Sequence, residues 1–169
     1  GDSLRVYLAR VTSTAHPRSE RVDRLLAEEE AFGLRDLATY RQFTAKVMRT
    51  KRRLLSLLIE AKEQGKRIVA YGAPGKGNTL LNYCGIGQDF VDFAVDRNPY
   101  KHGRYTPGTR IPIRPVEELD AARADLVLIL PWNLKDEIMV QLAHIEAWGG
   151  KFIVPIPEAR IVDPKENRS

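Results

Sequence analysis

Apolar and polar positions along the chain fall into two stretches with different periods. Residues 4–11 (Leu4, Arg5, Val6, Tyr7, Leu8, Ala9, Arg10, Val11) alternate enough to predict a strand. Residues 12–18 are polar, and Pro17 disfavours helix in the residue before it. Ser19 suits the N-cap of a helix that carries Val22, Leu25 and Leu26 on one side, and Gly33 breaks it. A second helix begins near Asp36, an acid placed at the positive end of the helix dipole. Its apolar positions, Leu37, Tyr40, Phe43, Val47, Leu54, Leu55, Leu58 and Ile59, keep a three-to-four spacing until Gly65.

From Lys66 the apolar runs shorten and alternate with helical patterns. Residues 68–71 predict a strand that leads into a glycine-rich segment. Residues 90–95 predict a second strand, closed by Asp96, and residues 115–119 a short helix with Pro115 in its first turn. A third strand over 124–130 stops at Pro131. A helix over 134–148 ends at Gly149 and Gly150, and a fourth strand covers 151–154. This alternation predicts an α/β protein: a Rossmann-like, mostly parallel sheet with flanking helices, preceded by a strand and a helical segment. The expected divisions are a strand plus two helices over 1–65, the Rossmann-like domain over 66–160, and a tail over 161–169. A lone strand must pair with a sheet, so Gly1 reads as a cut point inside a larger protein.

The 169 residues are 43% hydrophobic and 29% charged, which suits a folded domain rather than a disordered chain. The longest uncharged stretch near a strand is far shorter than the ~20 apolar residues of a membrane span. No basic-then-apolar leader opens the sequence. The single cysteine, Cys84, leaves no internal disulfide or multi-cysteine zinc site, and its place in an apolar helix predicts packing. A cytoplasmic protein with no membrane partner is expected. Net charge is +5, concentrated in the run from Lys46 to Arg53. No aromatic residue interleaves that run, so a solvated helix face is expected and nucleic acid is not. His16, His102 and His144 show no metal-ligand spacing, and no metal is expected.

Candidate chemistry gathers after the predicted strands. Gly72, Ala73, Pro74, Gly75, Lys76 and Gly77 stand where a phosphate cradle belongs, between a strand and the helix it feeds. The order Gly-x-x-Gly-x-Gly differs from the dinucleotide fingerprint Gly-x-Gly-x-x-Gly. Lys76 is followed by Gly77 rather than Ser or Thr, so this is no P-loop. Lys76 and Asn78 are candidates for phosphate or sugar oxygens. Asp96 stands close to the spacing of an acid that accepts from a ribose hydroxyl. The polar loop 97–110 offers Asn98, Lys101, Arg104 and Arg110 for a diphosphate and Tyr100 or Tyr105 for stacking; a plain solvated loop explains it equally well. Asn133, after Pro131 and Trp132, reads as an N-cap that also faces the ligand edge. His102 reads as a surface histidine.

Several of these segments occur together in one known family. Residues 1–5, the run from Tyr71 to Asn82, Asp96 to Lys101, Pro107 to Ile113, and Pro131-Trp132-Asn133 resemble the C-terminal domain of S-adenosylmethionine-dependent sugar C-methyltransferases. The resemblance implies a three-part enzyme: a cysteine-rich zinc domain, a central methyltransferase domain, and this Rossmann-like domain. It implies methylation of a sugar carbon beside a keto group, on a deoxysugar carried by a nucleotide diphosphate. The implied site residues here are Gly75, Lys76, Gly77, Asn78, Asp96, Asn98, Lys101, Arg104 and Asn133, with no catalytic residue in this chain. S-adenosylmethionine would be bound by the absent central domain, no cofactor is expected in this chain, and the isolated chain is expected to be inactive. Two other readings stay open. One is a non-catalytic nucleotide-binding or regulatory module. The other is an assembly domain, in which helices over 20–64 pair with a second copy through positions such as Leu54 and Leu58.

Overall fold

The structure is a computed structural model that describes residues 4–15 and 17–167. Gly1, Asp2, Ser3, His16, Arg168 and Ser169, with the expectations made for them, lie outside the described residues. Two compact units meet inside one helix, the first running to Val47 and the second starting at Met48.

In the first unit, helix α1 (Glu20–Phe32) opens on Ser19, whose hydroxyl accepts from the Arg21 N–H at 3.3 Å. It closes on Gly33 at φ 81°, a left-handed cap that suits glycine. Asp36 Oδ1 accepts from the Ala38 N–H at 2.8 Å and opens α2 (Leu37–Glu63). Residues 4–10 form no strand, contrary to the alternation of their sequence. Alternation gives a strand only where a neighbouring ladder takes up its N–H and C=O groups. All six strands of the sheet lie between residues 68 and 162, and Leu4, Val6, Tyr7 and Leu8 are exposed. Helix α1 has no buried residue either.

The second unit is a six-stranded sheet: β1 (Ile68–Tyr71), β2 (Phe93–Val95), β3 (Ile113–Arg114), β4 (Leu126–Ile129), β5 (Lys151–Val154) and β6 (Arg160–Val162). The spatial order is β3-β2-β1-β4-β5-β6, parallel throughout except for the antiparallel β5–β6 pair. Because the winding reverses at β1, a crevice opens at the carboxyl ends of β1 and β4. The first unit aside, this is the expected Rossmann-like α/β architecture.

Successive residues of each strand feed opposite cores. Ile68, Ala70, Leu126 and Leu128 pack with α2 and with α3 (Gly75–Cys84) on one face. Val69, Tyr71, Val127 and Ile129 pack on the other face with α4 (Glu117–Ala122) and α5 (Lys135–Gln141). Burial on both faces explains why these strands read as continuous apolar runs. Cys84 is buried in the first core, where burial pushes its thiol pKa up.

Only the last turns of α2 enter this unit. Leu54, Leu58 and Ala61 are buried against the sheet. The two leucines are therefore core residues and not a surface for a second copy. The basic run is split by the same turns: Lys51 donates to the Tyr83 carbonyl at 2.8 Å, and Arg53 to the Ala159 carbonyl at 3.4 Å. The predicted helix over 134–148 is two elements, α5 and a 3-10 helix (Ala143–Trp148), with the Trp148 indole donating to the Ala124 carbonyl at 3.1 Å. Part of the expected tail adds β6 to the sheet, a three-residue strand too short to show a period. No helix among the described residues is long and apolar enough to cross a membrane.

Helix α3 lies tight against the end of β4 at Gly77, where an added Cβ would stand 2.7 Å from Leu130 Cβ. Gly75, two residues earlier, has nothing within 4 Å of its would-be Cβ. Gly77→Ala should therefore cost about 1–3 kcal/mol in a urea melt, while Gly75→Ala should stay within about 1 kcal/mol of the parent.

Candidate functional site

The crevice begins with the turn that leaves β1. Gly72 takes φ 79° and donates its N–H to the Val95 carbonyl at 2.6 Å. A Cβ there would meet Pro131 Cδ at 2.9 Å, so the turns after β1 and β4 touch only because residue 72 is glycine. Pro74 is the N-cap of α3. Gly75, Lys76 and Gly77, expected as loop, are instead the first turn of the helix. The first N–H to rejoin the ladder is that of Asn78, bonded to the Pro74 carbonyl at 3.0 Å. The N–H groups of Gly75, Lys76 and Gly77 thus have no intrahelical acceptor.

This placement changes how the glycines count. Gly72 makes the tight turn and Gly77 the close helix–sheet contact, which are the first and third roles of Gly-x-Gly-x-x-Gly. The middle place falls on Pro74, not on Gly75. The sequence showed only the order Gly-x-x-Gly-x-Gly, which departs from the fingerprint because Pro74 stands where its middle glycine would be. The one available signal was Pro74 itself, a residue suited to the start of a helix.

Lys76 reaches across the crevice. Its ammonium donates to Asn133 Oδ1 and lies 4.9 Å from the centroid of the Trp132 ring. Asn133 belongs to a 3-10 turn (Trp132–Leu134), and the N-cap of α5 is Leu134, so the capping expected of Asn133 does not occur. Asn78 Oδ1 is buried and has no hydrogen-bond partner among the described residues. Asn82, which sequence reasoning passed over, donates to the carbonyls of Asn78 (2.9 Å) and Pro107 (3.0 Å), tying α3 to the loop after β2.

At the end of β2, Asp96 organises a second cluster. Its Oδ1 accepts from the Asn98 N–H at 2.9 Å. Its Oδ2 accepts from the Ala73 N–H at 2.7 Å and from Lys101 Nζ at 2.8 Å. Lys101 Nζ also donates to the Ala73 carbonyl at 3.1 Å, bridging the ends of β1 and β2. Asn98 Oδ1 caps the 3-10 turn (Pro99–Lys101) by accepting from the Tyr100 N–H at 3.1 Å. His102 is half-buried rather than a free surface residue, with Nε2 2.7 Å from the Asp96 carbonyl oxygen. Tyr100, Arg104, Tyr105 and Arg110 are exposed. The structure therefore joins Lys76 with Asn133, and Asp96 with Asn98 and Lys101. Among the described residues no group of histidine, cysteine, aspartate and glutamate could hold a metal ion.

Asp96 is only 8% exposed. Burial raises its carboxyl pKa, but the hydrogen bonds from Lys101, Asn98 and Ala73 and the Lys101 charge outweigh it, so the net shift is downward from the ordinary 3.8. A pKa depressed by folding stabilises fully above the ordinary value, and that contribution is lost as pH falls through the folded one. Asp96→Asn should lower stability at neutral pH by about 1.5–3 kcal/mol, the worth of a charge-assisted hydrogen bond. The difference from the parent should shrink as pH drops below the ordinary carboxylate value. Urea melts across that range check both the size and the direction.

Comparison with known proteins adds the family. A profile described as the C-methyltransferase C-terminal domain matches residues 1–157. A curated relative, the C-methyltransferase NovU of Streptomyces niveus, is 36% identical over 162 residues. That alignment covers 96% of this chain and 38% of the relative, so the chain spans well under half of that protein's length. Among solved structures, UDP-D-quinovosamine 4-dehydrogenase from Vibrio fischeri aligns with 62% of this chain and 98% of its own, at 17% identity and a TM-score of 0.44. That likeness is too slight to bear on chemistry. The profile match over residues 1–157 and a relative 36% identical over 96% of the chain lead to one conclusion: the chain belongs to the C-methyltransferase C-terminal domain family.

Proposed function

We propose that this methyltransferase domain is the substrate-binding part of an S-adenosylmethionine-dependent C-methyltransferase, and that its ligand is a nucleotide-diphosphate-linked keto-deoxysugar. The observation that carries the reading is Lys76, held by Asn133 and Trp132 beside three helix N–H groups that lack an intrahelical acceptor. A lysine cation beside a helix N-terminus favours an anionic group, and a diphosphate supplies one. In this proposal Gly75, Lys76, Gly77 and Asn78 meet phosphate or sugar oxygens, with Asn133 aiming the lysine. Arg104 adds charge from the loop. Asp96 and Asn98 enter as organisers of that loop, because both Asp96 oxygens already accept hydrogen bonds. Lys101 is held on Asp96 and Ala73, so its charge reaches a diphosphate only at a distance.

The methyl donor that the family implies does not fit these residues. The acid at the end of β2 already accepts three hydrogen bonds from its own chain, and Pro74 removes an N–H from the turn. S-adenosylmethionine is accordingly assigned to the rest of the full-length enzyme, and no catalytic residue is assigned to this chain. A cytoplasmic setting belongs to the same proposal. So does a partner for the exposed apolar side chains of residues 4–48, such as Leu26, Phe32, Leu37 and Phe43: the remaining part of the enzyme. The assembly reading makes that partner a second copy. Light scattering separates the two, since a monomer that stays monomeric at high concentration excludes pairing.

The test is calorimetric titration of the chain with a nucleotide-diphosphate sugar. The parent should bind it, and Lys76→Ala should weaken binding about tenfold or more, as expected when a charged hydrogen bond is lost. Equal affinity of the two proteins would sink the proposal. Mixed with a keto-sugar nucleotide and S-adenosylmethionine, the chain should release no methylated product, and turnover would overturn the division of labour.

A further inference from the structure

A sheet of this strand order ordinarily receives a ribose at the acid that ends its second strand, and a pyrophosphate over the middle glycine of its first turn. In this chain the protein fills both places. Pro74 stands at the middle-glycine position, with no N–H to offer and a ring on the backbone. Lys101 Nζ stands between the ends of β1 and β2, 2.8 Å from Asp96 Oδ2 and 3.1 Å from the Ala73 carbonyl oxygen.

We propose that Lys101 is the chain's own substitute for a ligand ribose, and that it excludes adenosine-ribose ligands from the β1–β2 corner. Resting on the reading above, this directs the nucleotide-diphosphate sugar to the β1–β4 side of the crevice, where it is held by its diphosphate at Lys76 and the start of α3.

The chemistry supports exclusion rather than mere fastening. A ribose hydroxyl at Asp96 would have to displace an ammonium, exchanging a bond between two opposite charges for one in which only the carboxylate is charged. The displaced ammonium would also lose the Ala73 carbonyl. Lys101 is only five residues from Asp96, and Asn98 caps the 3-10 turn that carries it. The ammonium is thus an intramolecular competitor, present at high effective concentration whatever the ligand supply. Asp96 has one acceptor direction left of roughly four, on a side chain that is 8% exposed.

The deciding experiment titrates the full chain with adenosine, which carries the ribose but no diphosphate for Lys76 to hold. The parent should show no binding up to millimolar ligand. Lys101→Ala should gain about tenfold or more in affinity, and the gain should vanish in the Lys101→Ala/Asp96→Asn double variant. Binding by the parent that Asp96→Asn abolishes would overturn the proposal, as would a folded Lys101→Ala variant without the gain. Should Lys101→Ala not fold, acylation of the parent by a lysine-reactive ester decides. Lys101 should react about tenfold more slowly in the parent than in Asp96→Asn, and equal rates would refute the lock. A parent chain silent to a nucleotide-diphosphate sugar would defeat the proposed function while leaving this pattern with adenosine intact, so the two failures are distinguishable.

Discussion

The close approach of two turns at one edge of the sheet is the constraint on which the rest of this domain depends. Gly72 must take a left-handed φ and lie against Pro131, while Gly77 must let α3 come down onto Leu130. Together they bring the ends of β1 and β4 near enough for Lys76 to reach Asn133 and Trp132. A side chain at either glycine would wedge the turns apart or lift the helix. The same two contacts set the direction of α3, and so decide which N–H groups open into the crevice.

Asp96 performs the corresponding task on the other side of β1. Its carboxylate gathers donors from three places in the chain, the turn after β1, the start of the loop after β2, and the 3-10 turn within that loop. Fourteen residues of polar loop thereby acquire a fixed beginning, and Asn82 holds them again at Pro107. A buried carboxylate is costly unless its acceptor sites are satisfied, and here the satisfying groups are those that need to be positioned. The carboxyl edge of the sheet is consequently lined by two polar clusters, one cationic and rooted in the first turn of α3, the other internally neutralised.

The two clusters at the crevice bear on the binding role proposed above rather than on catalysis. Neither cluster pairs a nucleophile with a base, and the buried ionisable group with the most partners is consumed by structure. In the function proposed above, the domain contributes to methyl transfer by presenting a substrate, and the exposed apolar residues of its first unit meet the rest of the enzyme.

Much of the second unit was legible because local chemistry and tertiary environment agree there. Strands buried on both faces must be apolar at consecutive positions, so β1, β4 and β5 announce themselves, and Gly65 and Gly149 mark helix ends through their positive φ. The family, too, could be read from residue blocks such as Tyr71 to Asn82. Residues 4–10 show the opposite case, since alternation is a request for a partner strand that only the assembled sheet could grant or refuse. The two- and three-residue strands β3 and β6 are too short to carry a period, and they exist because neighbours align them. The roles of Asp96, Lys101 and Pro74 also required the fold. Sequence named the residues, because charge and backbone chemistry are local properties. Only the tertiary structure decided whether a carboxylate faces a ligand or a lysine of its own chain, because that depends on which distant turns are brought within hydrogen-bonding distance.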